Sequence, residues 1–344
     1  MDILITGGAG FIGSSLCVKL QKNNNVFVID NLLSQIHGCN PDVESPSFLR
    51  IKDKVNFIRG DVSNIETWEN LPLKKFDVII HLASETGTGQ SMFNSYNYCH
   101  TNICSLALIN DLILQKKIEC KKIILSSSRS VYGTSMLSSN GVPIPSKEVD
   151  ICDPKSIYAI TKLTQEYILM NGFQNIEVCI LRLQNVYGPY QSLNNPYTGI
   201  ISIFSNSIKN NKNLYIFDDG KMSRDFIYID DVIDGILITI NNGKDREIYN
   251  IGSGVSTTVY KVAKYLKKLF NSDINIIITG EKLKGDIRHN IANIDKIKKI
   301  GFIPKISFED GIYRYVKWVK EQNLYFDSIY EDSLKDFREK GLLN

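Results

Sequence analysis

The sequence predicts an α/β protein built on a parallel sheet and followed by a smaller lobe, and three observations carry this. Short apolar runs of strand length at 2–6, 26–29, 55–59, 76–83, 122–126 and 177–183 alternate with helical segments of about a dozen residues. A glycine-rich turn follows the first run. After residue 183 the composition loosens into Asn, Pro and Gly, the mark of a lobe boundary. At 344 residues the chain exceeds the roughly 250 to 300 residues at which single cores stop growing, so two lobes or one large α/β domain both fit.

Composition narrows the class. Hydrophobic content of 43% and charged content of 22% are those of a folded, soluble protein. Forty basic and 37 acidic residues are scattered, which gives no support to nucleic acid or membrane partners and leaves an anionic small molecule open. No stretch approaches the roughly 18 apolar residues of a membrane span, and the chain opens directly on a strand without a basic leader. Cys17, Cys39, Cys99, Cys104, Cys120, Cys152 and Cys179 are odd in number and free of C-x-x-C pairs. Reduced thiols, a cytoplasmic location and no metal site are therefore expected.

Taken in order, the first strand runs into Gly7-Gly8-Ala9-Gly10-Phe11-Ile12-Gly13, which opens a helix to about residue 21. Glycines at 7, 10 and 13 suit a tight turn, a close approach of pyrophosphate to the backbone, and packing of helix on strand. The second strand ends in Asp30, placed to bond an adenosine ribose hydroxyl, and an acid there favours NAD over NADP. Asn31 beside it is neutral. Residues 32–54 are irregular and expected to wall the cofactor pocket.

The third strand leads to Gly60-Asp61-Val62, where Asp61 suits either an adenine amino group or the N-cap of a helix over 64–70. The fourth ends in His81-Leu82-Ala83. The loop from Ser84 through Glu85, Thr86, Gly87, Thr88 and Gly89 to Gln90, Ser91 and Met92 precedes a helix expected over 91–116. Gln90 and Ser91 suit sugar hydroxyls, or Ser91 caps that helix.

The fifth strand ends in Ser126-Ser127-Ser128-Arg129-Ser130-Val131-Tyr132-Gly133. Tyr158 and Lys162 then stand four apart in a helix, on one face. A cation near the phenol draws its pKa toward neutrality, the condition for a general base, and Ser128 can hold the substrate oxygen. The sixth strand is followed by Gln184-Asn185-Val186-Tyr187-Gly188-Pro189. Helices are expected at 198–210, 230–242, 257–270 and 308–322, and strands at 214–217, 225–229 and 274–278. Arg224 and Arg288 fall in loops. Residues 323–344 read as a peripheral mixed-charge helix.

Together T-G-G-A-G-F-I-G, the acid ending the second strand, G-D-V, H-L-A, S-S-S before V-Y-G, Y-x-x-x-K, N-V-Y-G-P, R-D-F-I-Y-I-D-D-V and Y-N-I-G resemble the extended short-chain dehydrogenase/reductase family, in its nucleotide-sugar epimerase and dehydratase branch. The resemblance covers about residues 1–320. It implies a Rossmann-type doubly wound parallel sheet over 1–183, with about 225–252 returning to it. A smaller C-terminal substrate lobe over 184–224 and 253–322 and a tail over 323–344 complete the expected division. It also implies bound NAD, a nucleoside diphosphate sugar as substrate, and a homodimer.

By position Ser128, Tyr158 and Lys162 match the catalytic set. Gly7, Gly10, Phe11, Ile12, Gly13, Asp30, Asn31, Asp61, Val62, Leu82, Ala83, Tyr158 and Lys162 match the cofactor site. Thr86, Gln90, Ser91, Ser128, Asn185, Arg224 and Arg288 match substrate-binding positions.

The 4,6-dehydratases of the branch carry Thr-Asp-Glu where this chain has Ser128-Arg129-Ser130, and an arginine and a serine cannot supply their acid/base pair. What remains is 4-epimerisation through a 4-keto sugar. The loop over 85–92, with residues 126–133, looks more like the group acting on dTDP-L-rhamnose than like the UDP-galactose enzymes. A 4-reductase, a dehydratase and a non-catalytic NAD-binding protein are the alternatives.

Overall fold

The structure, a computed structural model, describes residues 1–193, 195–197, 199–322 and 329–343. In chain order its strands are β1 (Asp2–Thr6), β2 (Asn25–Asp30), β3 (Asn56–Arg59), β4 (Lys75–His81), β5 (Glu119–Ser128), β6 (Glu177–Leu183), β7 (Asn185–Tyr187), β8 (Leu214–Ile216), β9 (Ser223–Tyr228), β10 (Glu247–Ile251), β11 (Ser256–Thr258), β12 (Ile276–Ile278) and β13 (His289–Asn290). Seven of them form one parallel sheet in the order β10-β6-β5-β4-β1-β2-β3. The chain starts at the middle, winds outward through β2 and β3, then crosses to β4 and winds the other way. The sheet is therefore doubly wound, as expected.

Alternation along the buried strands builds two cores. Ile3, Ile5, Val28, Ile80, Ile124 and Leu181 face Leu16 and Leu20 of helix Phe11–Leu20 and Val232 and Ile236 of helix Ile229–Asn242. Leu4, Ile29, Ile79, Ile123 and Ile180 face Leu106, Ile109 and Leu112 of helix Ser105–Leu114 and Leu169 of helix Ile157–Gly172. Strands covered on both faces have no polar side to expose, which is why they read as continuous apolar runs.

A smaller sheet is centred on β9, with β7 and β13 parallel and β11 antiparallel to it, and β8 pairs with β12. The helices Val259–Phe270 and Phe308–Glu321 pack Leu266, Ile312 and Val316 into the first core. The return to the large sheet begins at Ile229, because β9 itself stays in the smaller sheet.

Three expectations are corrected. Residues 32–54 contain three one-turn helices, Ser34–His37, Pro41–Glu44 and Pro46–Leu49, two of them with proline in the first turn, where its missing N–H costs nothing. The helix expected over 91–116 is broken. Thr88–Ser91 ends before Asn94, and a new helix begins at Ser95 and widens to a π-turn over His100–Cys104 before Ser105–Leu114. Arg224 lies in β9, not in a loop.

Of the expected helix over 198–210, residue 198 lies outside the described residues and Ile200–Lys209 is helical. Of the tail, 323–328 and 344 lie outside the described residues. Helix Ile329–Glu339 follows, and Leu334, Phe337, Leu342 and Leu343 pack on Met92, Phe93, Tyr197 and Leu283. The rings of Phe93, Tyr197 and Phe337 lie 6.2, 6.0 and 5.9 Å apart pairwise.

Among the described residues no helix is long and apolar enough to cross a membrane.

Candidate active site

A cavity of about 440 Å³ runs along the carboxyl ends of β1, β2, β4, β5 and β6. β1 and β4 lie side by side although the chain visits β2 and β3 between them, so this is the switch point at which doubly wound sheets open a crevice. All the residues expected at the cofactor site line it: Gly7, Gly10, Phe11, Ile12, Gly13, Asp30, Asn31, Asp61, Val62, Leu82, Ala83, Tyr158 and Lys162.

At one end the glycine turn does the shaping. Gly7 has φ +69°, and a Cβ there would lie 2.7 Å from the Ala83 nitrogen. A Cβ on Gly13 would strike the Gly7 carbonyl, whereas one on Gly10 would meet only that oxygen and otherwise face open space. The first turn of helix Phe11–Leu20 thus presents its N–H groups to the cavity with no side chain capping Gly10. That is a phosphate cradle.

Asp30 ends β2 beside it, accepting from Ala9 N at 3.0 Å and Leu32 N at 2.9 Å. Burial pushes its carboxyl upward against the pull of His37, 3.8 Å away. Asp61 accepts from Ser63 N at 2.8 Å and from Asn31 Nδ2 at 3.1 Å. Burial raises its pKa, but the bonds from Ser63 and Asn31 outweigh it and hold the group below the ordinary carboxylate range. The cap of helix Ile65–Glu69 is Asn64, which accepts from Glu66 N at 3.0 Å, so Asp61 is free of that task.

At the other end, helix Ile157–Gly172 is started by Ser156, whose hydroxyl accepts from Ala159 N at 3.2 Å. Tyr158 and Lys162 project from its first turns into the cavity with Ser128 from the end of β5. Lys162 is buried and donates to the Ser126 carbonyl at 2.9 Å, its Nζ 6.0 Å from the Tyr158 ring centre. Burial lowers its pKa to about 7.

Burial also raises the Tyr158 phenol, against the downward pull of the Ser128 hydroxyl and the Arg129 guanidinium. Against the expectation that a cation near the phenol draws its pKa toward neutrality, desolvation outweighs the charges around it here. Behind the pair, Glu166 is locked to Arg182 at 2.7 Å and to Ser127, with both charged side chains buried. His81 is fully buried, 2.8 Å from Thr6 Oγ1, and stays neutral with its pKa lowered to about 3 by burial.

Of the expected substrate positions, Thr86, Ser128 and Asn185 line the cavity and four do not. Gln90 is buried in an amide network with Gln35, itself bonded to Asn195, and accepts from the Tyr98 hydroxyl at 3.1 Å. Ser91 is buried inside its one-turn helix and donates to the Thr88 carbonyl at 2.6 Å, so it does not cap a helix. Arg224 is buried on Asp286 at 2.7 Å, and Arg288 is paired with Asp218 and Asp219 at the surface.

Conversely, Glu85, Arg129, Gln184 and Tyr197 line the cavity without having been expected to. Gln184 follows β6 directly, and neither its amide oxygen nor its nitrogen, both buried, has a partner in the structure. Its place immediately after a strand was the available signal.

The fold and this cavity define a dinucleotide-dependent enzyme of the short-chain dehydrogenase/reductase type, its Ser, Tyr and Lys set at the far end of the crevice from the phosphate cradle. The chain belongs to the NAD dependent epimerase/dehydratase family, whose model matches residues 3–252. It is 32% identical to the dTDP-L-rhamnose 4-epimerase of Burkholderia thailandensis over 93% of this chain and 95% of that one. It is 33% identical to a putative UDP-glucose 4-epimerase of Methanocaldococcus jannaschii over 93% and 99%. Among solved structures it resembles a UDP-glucuronic acid 4-epimerase from Bacillus cereus in complex with UDP-4-deoxy-4-fluoro-glucuronic acid and NAD. That likeness has 28% identity and a TM-score of 0.82 over 93% of this chain and 99% of that one.

Proposed function

We propose that the protein is an isomerase, an NAD-dependent nucleotide-sugar 4-epimerase that inverts C4 of a nucleoside diphosphate hexose or deoxyhexose. One observation carries the choice of reaction. The carboxylates lining the described cavity are Asp30, Asp61 and Glu85, and the strand end at Ser128 continues into Arg129 and Ser130, neither of them a carboxylic acid. Glu85 is close enough to Asp61 to feel its charge. The reacting end therefore offers Tyr158 as its proton shuttle and no carboxylic pair for eliminating water.

In this reading Gly7, Gly10, Phe11, Ile12 and Gly13 hold the cofactor's phosphates, Asp30 and Asn31 its adenosine ribose, and Asp61 and Val62 its adenine. Leu82, Ala83 and Lys162 hold its remainder. Bound NAD supplies the acceptor and then the donor of the C4 hydride. Ser128 donates to the C4 oxygen while Tyr158 takes the hydroxyl proton. The 4-keto sugar turns over within the cavity to present the other face of C4, and Tyr158 returns the proton to the C4 oxygen, with no net redox change.

The smaller sheet is the proposed sugar-nucleotide lobe, entered by Asn185. For Arg224 and Arg288 to reach the diphosphate they must leave Asp286, Asp218 and Asp219. The exposed apolar side chains Leu114, Ile160 and Tyr167 on the two helices of the second core support a homodimer. Seven free cysteines suit a reducing, cytoplasmic location.

The test is incubation of the purified protein with dTDP-L-rhamnose, UDP-glucose, UDP-glucuronic acid and GDP-mannose, following C4 configuration by NMR. The similarity to a dTDP-L-rhamnose enzyme puts that sugar first. Interconversion of none of the four would sink the reading, and stoichiometric NADH consumption would replace it with a 4-reductase.

A further inference from the structure

Arg129 stands where a strand end turns into the reacting end of the cavity, and among the described residues no carboxylate forms an ion pair with it, although Asp286 and Asp225 are near enough to feel its charge. The turn Arg129–Tyr132 is locked by Ser128, whose hydroxyl accepts from Ser130 N at 3.2 Å and from Ser130 Oγ at 3.0 Å. From the smaller sheet, Asn290 donates to the Arg129 carbonyl at 3.4 Å and to the Gly133 carbonyl at 3.3 Å. The side chain lines the cavity with Ser128 and Tyr158, and its Nη1 is buried with no hydrogen-bond partner.

The charged groups around it are committed elsewhere. Asp286 accepts from Arg224 and from Ile287 N, both at 2.7 Å. Asp225 accepts from Ser253 N, Ser253 Oγ, Gly254 N and Ala292 N. Around Tyr158 the other groups are Lys162, held on the Ser126 carbonyl, the Ser128 hydroxyl, and Tyr98, whose ring packs edge-on at 6.4 Å. A half-buried guanidinium with a sealed, unbonded N–H is costly unless something negative forms nearby.

We propose that Arg129 is a positioning residue for the proton shuttle: its fixed positive charge stabilises the Tyr158 phenolate, at the position where dehydratases of the branch carry a carboxylic acid. The inference rests on Tyr158 being the shuttle. The two cations divide the task unequally. Burial brings Lys162 to about 7, so near neutrality only part of it is charged, whereas Arg129, lowered to about 9 by burial and by Arg224, keeps its proton. Arg129 pulls the phenol's pKa down, so its removal must send that pKa up.

The experiment titrates the NAD-loaded protein by ultraviolet phenolate absorbance, each variant being compared with the same variant carrying Tyr158→Phe so that only this phenol is read. Arg129→Gln raises the Tyr158 pKa by about one pH unit or more, while Arg129→Lys stays within a few tenths of the wild type. Should Gln at this position impair folding, Arg129→Met, which removes the charge and its desolvation together, gives the same upward shift. Once a sugar substrate is in hand, the alkaline-favoured limb of turnover moves by the same amount. A titration unmoved by both neutral variants overturns the proposal. So does a tenfold loss of UDP binding in Arg129→Gln with the phenol unshifted, which would make the residue a phosphate ligand. The titration needs no sugar nucleotide, so its failure is separate from a failure of the epimerase reading.

Discussion

The two ends of the cavity are made differently. The phosphate and adenosine end is built from short local stretches, the turn after β1, the last residues of β2 and the residues after β3, and it works largely through backbone N–H groups and acids held by neighbours. The reacting end is assembled from β5, helix Ile157–Gly172 and the segment after β6, and it works through side chains whose charged forms are opposed by desolvation. Local backbone chemistry tolerates change in distant parts of the chain. A convergent side-chain site depends on all of them, which is why each end has to be broken in its own way.

The largest effect belongs to the reacting end. Tyr158→Phe removes the proton shuttle and lowers turnover by about 10²- to 10⁴-fold, while the NAD measured per chain after purification stays at the wild-type value. Loss of cofactor as well would mean that the two ends are not separable. Gly13→Ala is the reciprocal cut. Its methyl group meets the Gly7 carbonyl, so the turn must shift at a cost of about 1 to 3 kcal/mol, and NAD affinity by calorimetry falls about ten- to a hundredfold.

Asp30→Asn sharpens the comparison further, since it keeps the shape and removes the charge. It is expected to weaken NAD by up to about tenfold and to narrow the preference over NADP. The smallest effect is a pH dependence of stability at the reacting end. Burial depresses the Lys162 pKa from 10.5 to about 7, so in the window between them the unfolded chain holds more protons than the folded one. The cost of burying this charge is fully present below about 7 and is relieved as pH rises. Cofactor-free protein should then gain thermal stability between pH 7 and pH 9 relative to Lys162→Met, which lacks the group; parallel melting curves would reject this.

The same division explains what the sequence made legible. The glycine spacing, Asp30 and the Tyr158–Lys162 pair are local patterns, and the structure brings all of them to one cavity. Gln90 and Ser91 are the right residue types for sugar hydroxyls, but a break at Asn94 turns their short helix inward. Gln90 becomes a brace to Gln35 and Ser91 bonds its own turn. The ion pairs that occupy Arg224 and Arg288 join partners 62 to 70 residues away, beyond the reach of any spacing rule. Arg129 was read for what it lacks, a carboxylate. Only the packed structure gives it a free N–H beside a phenol.

The ring triangle of Phe93, Tyr197 and Phe337 has a consequence for the far end of the chain. Tyr197 faces the cavity on one side and Phe337 on the other, and Phe337 also covers Gly89, where a methyl group would lie 2.6 Å from its ring. The carboxyl-terminal helix and the cavity wall thus share one apolar contact, in which Phe337 meets Tyr197.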